Sequence, residues 1–359
     1  MKTLLRLILK SQHQRNRSEP DKTEKGMTLI ELLIGTVMAF LIITPMLSFV
    51  VDMLNTDRRE QVKSNTEQDI QAAVDFIAQD LSQAIYIYDG KGINDIKAQL
   101  PANDANKIPI LVFWKRQQVK NAVPISAVSP NGGKPSECKI TPGATTGIDC
   151  NDTYVRSLVA YYQIKETKVD SIWCQPSSGI NDCPTRIERY EIKDGVKNPY
   201  ATGGIDPYYT VADVGNDRKS LVQDAAFNPK FKFSEPTKDV TIAAGLASVP
   251  SEVLLNYIDH SPKAIDPDEC KKALGNPETQ IGLAAAQPVA EDTLKVTDPN
   301  KTINSFYACV DTSRNLARVT IRGNSQRRLQ PNNANYDASK SAFFPTASVQ
   351  VQGLGAIAK

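Results

Sequence analysis

Residues 25–51 read KGMTLIELLIGTVMAFLIITPMLSFVV, a Lys-Gly pair followed by the twenty-five residues Met27 to Val51, in which Glu31 carries the sole charge. An apolar run of this length is long enough to cross a bilayer as a helix. Residues 1–26 hold seven Lys/Arg against three acids. Cationic flanks stay on the cytoplasmic side, which places everything after residue 52 outside. A secretory signal peptide would carry its small-residue cleavage site after a shorter apolar stretch. Here the small residue, Gly26, stands before it. A carboxylate five residues into a membrane helix costs about 3 kcal/mol and marks a function or a paired charge. A plain signal anchor, with Glu31 snorkelling to the interface, is the alternative.

The 359 residues, 41% hydrophobic and 23% charged, suit a globular chain with a sizeable core. The formal net charge is +2. Without residues 1–26 the chain has 35 basic and 37 acidic residues, so no bulk attraction to nucleic acid is expected. Six cysteines, Cys138, Cys150, Cys174, Cys183, Cys270 and Cys309, all follow the apolar segment, an even count that suits an oxidising compartment. None forms a CxxC pair, and the histidines are His13 and His260 alone, which disfavours zinc. Six cysteines allow about fifteen pairings. Pairing of neighbours, Cys138 with Cys150, Cys174 with Cys183 and Cys270 with Cys309, is the simplest expectation.

Polar residues begin at Asp52, yet helical spacing continues through Ile70, Val74, Ile77, Leu81 and Ile85. One helix is therefore expected from about Met27 to Tyr86. Gly35 and Pro45 lie inside it, and Pro45 should bend or locally melt it. Past Asp89 the texture is β-rich, with candidate strands at Ile108–Lys115, Val155–Lys165, Arg186–Lys193, Val253–Ile258, Ala317–Arg322 and Ala347–Val351. The last two alternate, with Ala317, Val319 and Ile321 on one face and Ala347, Val349 and Val351 on the other strand's equivalent. The helical stripe is the natural cover for such a face, giving an α+β fold of a helix laid on an antiparallel sheet. Stretches 116–150, 195–250 and 262–303 read as long loops, stapled by the cysteines.

No GxSxG, HExxH, P-loop or dinucleotide fingerprint is present, so neither an enzyme nor a cofactor is expected. His260, in IDHSP, reads as an exposed loop histidine. Asp266, Asp268 and Glu269 are weak calcium candidates, a solvated acidic loop being the plainer reading. Arg318, Arg322, Arg327 and Arg328 read as the wet side of a strand. Trp114, Tyr161, Tyr162, Trp173 and Tyr190 read as core, with sugar stacking as the functional alternative.

The run Lys25 to Glu31 resembles the prepilin cleavage motif, with a Gly before the scissile bond and a Glu fifth in the mature chain. The resemblance implies removal of a leader by a prepilin peptidase between Gly26 and Met27, and N-methylation of Met27. It further implies filament assembly through Glu31, which meets a neighbouring subunit's terminal amine. Met27 replaces the more frequent Phe, and the leader is long. FIAQDLSQA, Phe76 to Ala84, resembles the larger minor pseudopilins of the J class and PilW-type minor pilins. SLVAYY (157–162), RIERYEI (186–192), TIRGN (320–324) and FFPTASVQVQG (343–353) are similar to the hormogonium polysaccharide secretion pseudopilins of filamentous cyanobacteria. The N-terminal likeness covers about a quarter of the chain.

By this resemblance the chain has the type IV pilin fold. It would comprise a cytoplasmic leader at 1–26, a transmembrane and filament-core helix at 27–51, its amphipathic extension at 52–88, and an extracytoplasmic β-rich head at 89–359. The expected role is that of a non-catalytic minor pseudopilin in a single-pass inner-membrane location, assisting polysaccharide secretion and gliding. Its expected partners are other pilins or pseudopilins through the N-terminal helix, the prepilin peptidase and the inner-membrane assembly platform, with polysaccharide a possible ligand and no specific nucleic acid. A minor pilin of an adhesion, motility or DNA-uptake pilus, or a signal-anchored glycan-binding domain, is the alternative.

Overall fold

The computed structural model describes residues 28–101, 104–126, 133–139, 146–201, 208–228, 245–279, 287–299 and 303–355. Gly26 and Met27, the two sides of the expected cut, lie outside the described residues. The chain forms two compact units, Met1–Arg58 and Arg59–Lys359. A single helix, α1, is assigned over Leu29–Ser82. It is unbroken through Pro45, so the proline does not melt it.

Within the second unit α1 buries Thr66, Ile70, Ala73, Val74, Ile77, Asp80 and Leu81, one stripe at three- and four-residue intervals. The expected stripe also included Ile85, but α1 stops at Ser82 and Ala84–Ile87 forms strand β1. The run Ile85-Tyr86-Ile87 is β-branched and aromatic, which favours a pleated edge over one more helical turn.

Strand β1 opens a five-stranded antiparallel sheet in sequence order, with β2 (Lys107–Pro124), β3 (Cys150–Lys165), β4 (Thr185–Lys193) and β5 (Ser251–Ile258). A small pair, β6 (Glu278–Thr279) with β7 (Gln287–Pro288), follows. The second large sheet is also a meander, built from β8 (Lys295–Val296), β9 (Phe306–Asp311), β10 (Leu316–Arg322) and β11 (Thr346–Gln352). All six strands expected from the sequence are present, four of them longer by only one or two residues at an end. The other two, β2 and β3, run well past their expected bounds as a two-stranded ribbon, Gln117 opposite Val155 and Val119 opposite Thr153. Part of the expected loop at 116–150 is therefore strand. One face of the ribbon packs Val119, Ala122, Val123 and Val155 with Val196, Tyr209, Val214 and Leu221. Strand β9 was not expected, because it is buried on both faces and so lacks alternation.

One core joins α1 and both large sheets, including Ile70, Ile77, Phe113, Tyr161, Ile187, Phe306 and Val319. Ala347, Val349 and Val351 of β11 pack against it from their half-buried face. The hairpin between β9 and β10 turns at Asn315, whose φ of +47° suits Asn. Asn315 Nδ2 donates to the Ala84 carbonyl at 2.9 Å, and Gly353 N donates to the Asn315 carbonyl at 2.9 Å. A Cβ on Gly353 would collide with the Ala84 carbonyl oxygen and Asn315 Nδ2. Because the obstacle is backbone, Gly353→Ala is expected to cost about 2 kcal/mol, the middle of the range for overpacking. Urea unfolding of the full chain in detergent would show it as a lowered midpoint, and an unchanged midpoint would refute the contact.

Three disulfides are formed, Cys138–Cys150, Cys174–Cys183 and Cys270–Cys309, with Cα separations of 5.6, 4.6 and 5.1 Å. They hold the tip of the ribbon, the loop ahead of β4, and Cys270 against the middle of β9.

Candidate functional site

The residues that decide the chain's placement lie at the start of α1. Thr28 and Glu31 form a local cap there. The Glu31 N–H is 3.0 Å from the Thr28 carbonyl and 3.4 Å from Thr28 Oγ1, and Thr28 Oγ1 donates to Glu31 Oε2 at 3.5 Å. The Thr28 hydroxyl thus answers one free amide of the helix start, and the Glu31 carboxylate, which accepts from that hydroxyl, suits the positive end of the helix dipole. Among the described residues no Lys or Arg forms an ion pair with Glu31.

From Leu29 to Leu54 the large apolar side chains of α1 are exposed, Leu29 at 88% and Phe40 at 71%. This is the one helix among the described residues that is long and apolar enough to cross a membrane. Gly35 has open space around it, and no other side chain approaches where its Cβ would lie. Thr36 and Thr44 turn their hydroxyls onto the carbonyls of Leu33 and Phe40, at 2.8 Å each, so they present no free polar group to an apolar surrounding.

The end of α1 is locked to the five-stranded sheet by buried charges that sequence reading did not find. Asp80 accepts from Lys115 Nζ of β2 at 3.0 Å, from Tyr161 Oη of β3 at 2.6 Å, and from Arg189 Nε of β4 at 2.7 Å. Glu191 pairs with Lys115 at 3.3 Å and with Arg189 at 2.7 Å. Two cations thus meet two anions in a site almost closed to solvent. Burial alone would raise the Asp80 carboxyl, but the Arg189 hydrogen bond, the Lys115 charge and the Tyr161 hydroxyl outweigh it and hold its pKa below the ordinary value. Glu191 is likewise lowered: burial opposes, and the charges of Lys115 and Arg189 prevail. Burial and the Asp80 charge push Tyr161 well above its usual pKa, so it stays a donor. Phe76 lies beside Arg189 at 5.8 Å, and Arg328 pairs with Asp69 about three turns before Asp80 on the same helix.

Other residues singled out by sequence fall differently. His260 is half-buried in the wall of a cavity, not exposed. Of the four arginines, Arg322 and Arg327 are buried, not wet. Arg322 Nε donates to Asp259 at 2.8 Å, and Arg327 Nε and Nη2 donate to the carbonyls of Asp182 and Cys174 at 3.0 Å each. The polar face of β10 is covered there by the segments around Asp259 and Asn324, which alternation alone does not reveal. Trp114, Tyr161, Tyr162 and Tyr190 are core, whereas Trp173 is half-buried under the Arg186 guanidinium at 5.0 Å. Asp266 accepts from the Asp268 amide at 2.9 Å and from Lys272 Nζ at 3.0 Å, and Glu269 accepts from Tyr307 at 3.4 Å. Among the described residues no group of three or more His, Cys, Asp or Glu is arranged to hold a metal ion. Comparison with protein-family models, with curated proteins and with solved structures finds no match to this chain.

Proposed function

We propose that this chain is a pilin-like filament subunit, a minor pseudopilin made as a precursor with residues 1–26 as its leader. The observation that carries the reading is the form of α1. One continuous helix exposes a predominantly apolar stretch whose sole charge is Glu31, then buries a stripe in a disulfide-bonded β-rich head. A membrane anchor that served only as a tether would not need to be continuous with the core of the domain it carries. In a filament subunit that continuity transmits the position of the packed helix to the head. Glu31, which no cation among the described residues compensates, suits the proposed pairing with the freed terminal amine of a neighbour.

The type IV pilin fold, inner-membrane insertion before assembly, and the peptidase and assembly platform as partners belong to the same proposal. So does assistance to polysaccharide secretion and gliding, which rests on the likeness of the SLVAYY, RIERYEI, TIRGN and FFPTASVQVQG runs. About 270 residues follow the helix. A head of that size would crowd a filament whose helices pack at about 8–10 Å, which favours a place at or near the tip.

The test is intact mass and N-terminal analysis of the membrane-extracted protein, with and without the prepilin peptidase. A chain beginning at N-methylated Met27, only when the peptidase is present, is the expected result. Retention of residues 1–26 in both preparations would make the chain a signal-anchored domain and end the filament proposal.

A further inference from the structure

A cavity of about 160 Å³ opens where the ends of β3, β4 and β5 come together. Its lining is Lys165, Asn181, Cys183, Thr185, His260, Ile303 and Asn335. The Cys174–Cys183 disulfide fixes one wall. Thr185 is 1% exposed and its hydroxyl makes no hydrogen bond, which is a costly state for a buried polar group. Neither ring nitrogen of His260 makes a hydrogen bond of ordinary geometry, and Asn335 is its polar neighbour. Gln163, two residues before Lys165, donates to the Ile303 carbonyl at 3.4 Å while its own side-chain oxygen is also unanswered. Unanswered buried polar atoms therefore gather around one concavity, where side chains locked by strand pairing and a disulfide hold them in place.

The lining has one cation, two carboxamides, a hydroxyl and an imidazole, and it has no carboxylate. The nearest acids are already engaged. Asp259 is bound by Arg322 and Ser261, and Asp182 accepts from the Asn333 amide at 2.9 Å. Such a set suits an anion that also carries hydroxyls. The volume accommodates about five waters at ~30 Å³ each, or one six-membered ring. We propose that this cavity binds a single sugar-acid unit, its carboxylate at Lys165 and its hydroxyls on Thr185, His260 and the two carboxamides. The site goes beyond the filament role and does not depend on it.

Thr185→Val decides the matter, because it removes only the unanswered hydroxyl. As a merely structural change it should leave the melting temperature equal or higher, since deleting a buried group without a partner is neutral or stabilising. As a ligand contact it should weaken binding at least tenfold. The experiment titrates galacturonate, galactose and sulfate into the full chain in detergent, followed by calorimetry, with Lys165→Met at the cavity mouth as a second variant. Binding of galacturonate with a Kd on the order of 1 mM or tighter, lost in both variants with the fold intact, is the expected result. No galacturonate binding, equal binding by Thr185→Val and Lys165→Met, or equal binding of galactose or of sulfate would each overturn the proposal.

Discussion

Asp80→Ala is expected to destabilise the protein by about 3–5 kcal/mol, the loss that follows when one member of a buried ion network is removed. The network is balanced, Asp80 and Glu191 against Lys115 and Arg189. Removing Asp80 leaves one net positive charge shut between α1 and the sheet, and it also orphans the Tyr161 hydroxyl. Balance, more than the individual contacts, sets the size of the effect. The double variant Asp80→Leu with Lys115→Met leaves the Arg189–Glu191 pair neutral, and should therefore recover at least half of the loss. Denaturant unfolding of the three proteins measures this directly. A double variant as unstable as Asp80→Ala would sink the explanation. The pH dependence has a definite sign. Asp80 and Glu191 have folded pKa values below their unfolded ones. Their contribution is complete above the unfolded carboxylate range, about pH 4, and disappears as pH falls through the folded values. The wild type should therefore lose stability in acid more steeply than Asp80→Ala.

Removal of the Cys270–Cys309 disulfide by paired Cys→Ala substitution should cost about 4 kcal/mol on loop-entropy grounds. The 39-residue separation is the longest of the three, against 12 and 9. The shorter bridges should cost about 3 kcal/mol each by the same relation. Cys309 is also a buried residue of β9, packed with Cys270, Leu274, Leu294 and Tyr307, so truncation adds a cavity to the entropic loss. Melting temperatures of the three double variants should place the Cys270–Cys309 variant lowest. Any other order would contradict the assignment of that bridge as the strongest constraint.

The long helix, its buried stripe and the six main strands were legible because each leaves a periodic mark: 3.6 for α1, 2 for β10 and β11. Strand β9 left none, since Phe306-Tyr307-Ala308-Cys309-Val310 is covered on both faces and reads as a featureless apolar run. The ribbon of β2 and β3 was missed because Gln117 to Lys120 look like loop residues until their partner strand is known. The contact between Thr28 and Glu31 was readable from spacing alone, although the lone charge of Glu31 in an apolar run is the stronger mark. The Asp80 network was beyond local reading, because Asp80 and Arg189 stand 109 positions apart. The hint it left is charge within otherwise core-like strands, Lys115 at the end of ILVFWK and Arg189 with Glu191 in RIERYEI. Arg322 was placed at the surface because alternation reports which face of a strand is polar, and His260 because IDHSP reads as a loop; neither signal tells whether another segment lies over the residue.

The meeting of Ala84 with Asn315 and Gly353 has a consequence for biosynthesis. The stripe of α1 is completed early, whereas β9, β10 and β11, which supply part of its cover, are the last strands to be made. At ribosomal rates of ~5–20 residues per second, some 270 residues separate Leu81 from Gly353, so Ile70, Val74 and Ile77 wait roughly 10–50 s for their final partners. Any nascent chain in that interval presents an apolar helix face without its lid. Folding of this chain therefore needs either a companion that shields the helix during synthesis or a delay that keeps the chain unfolded until β11 has been made.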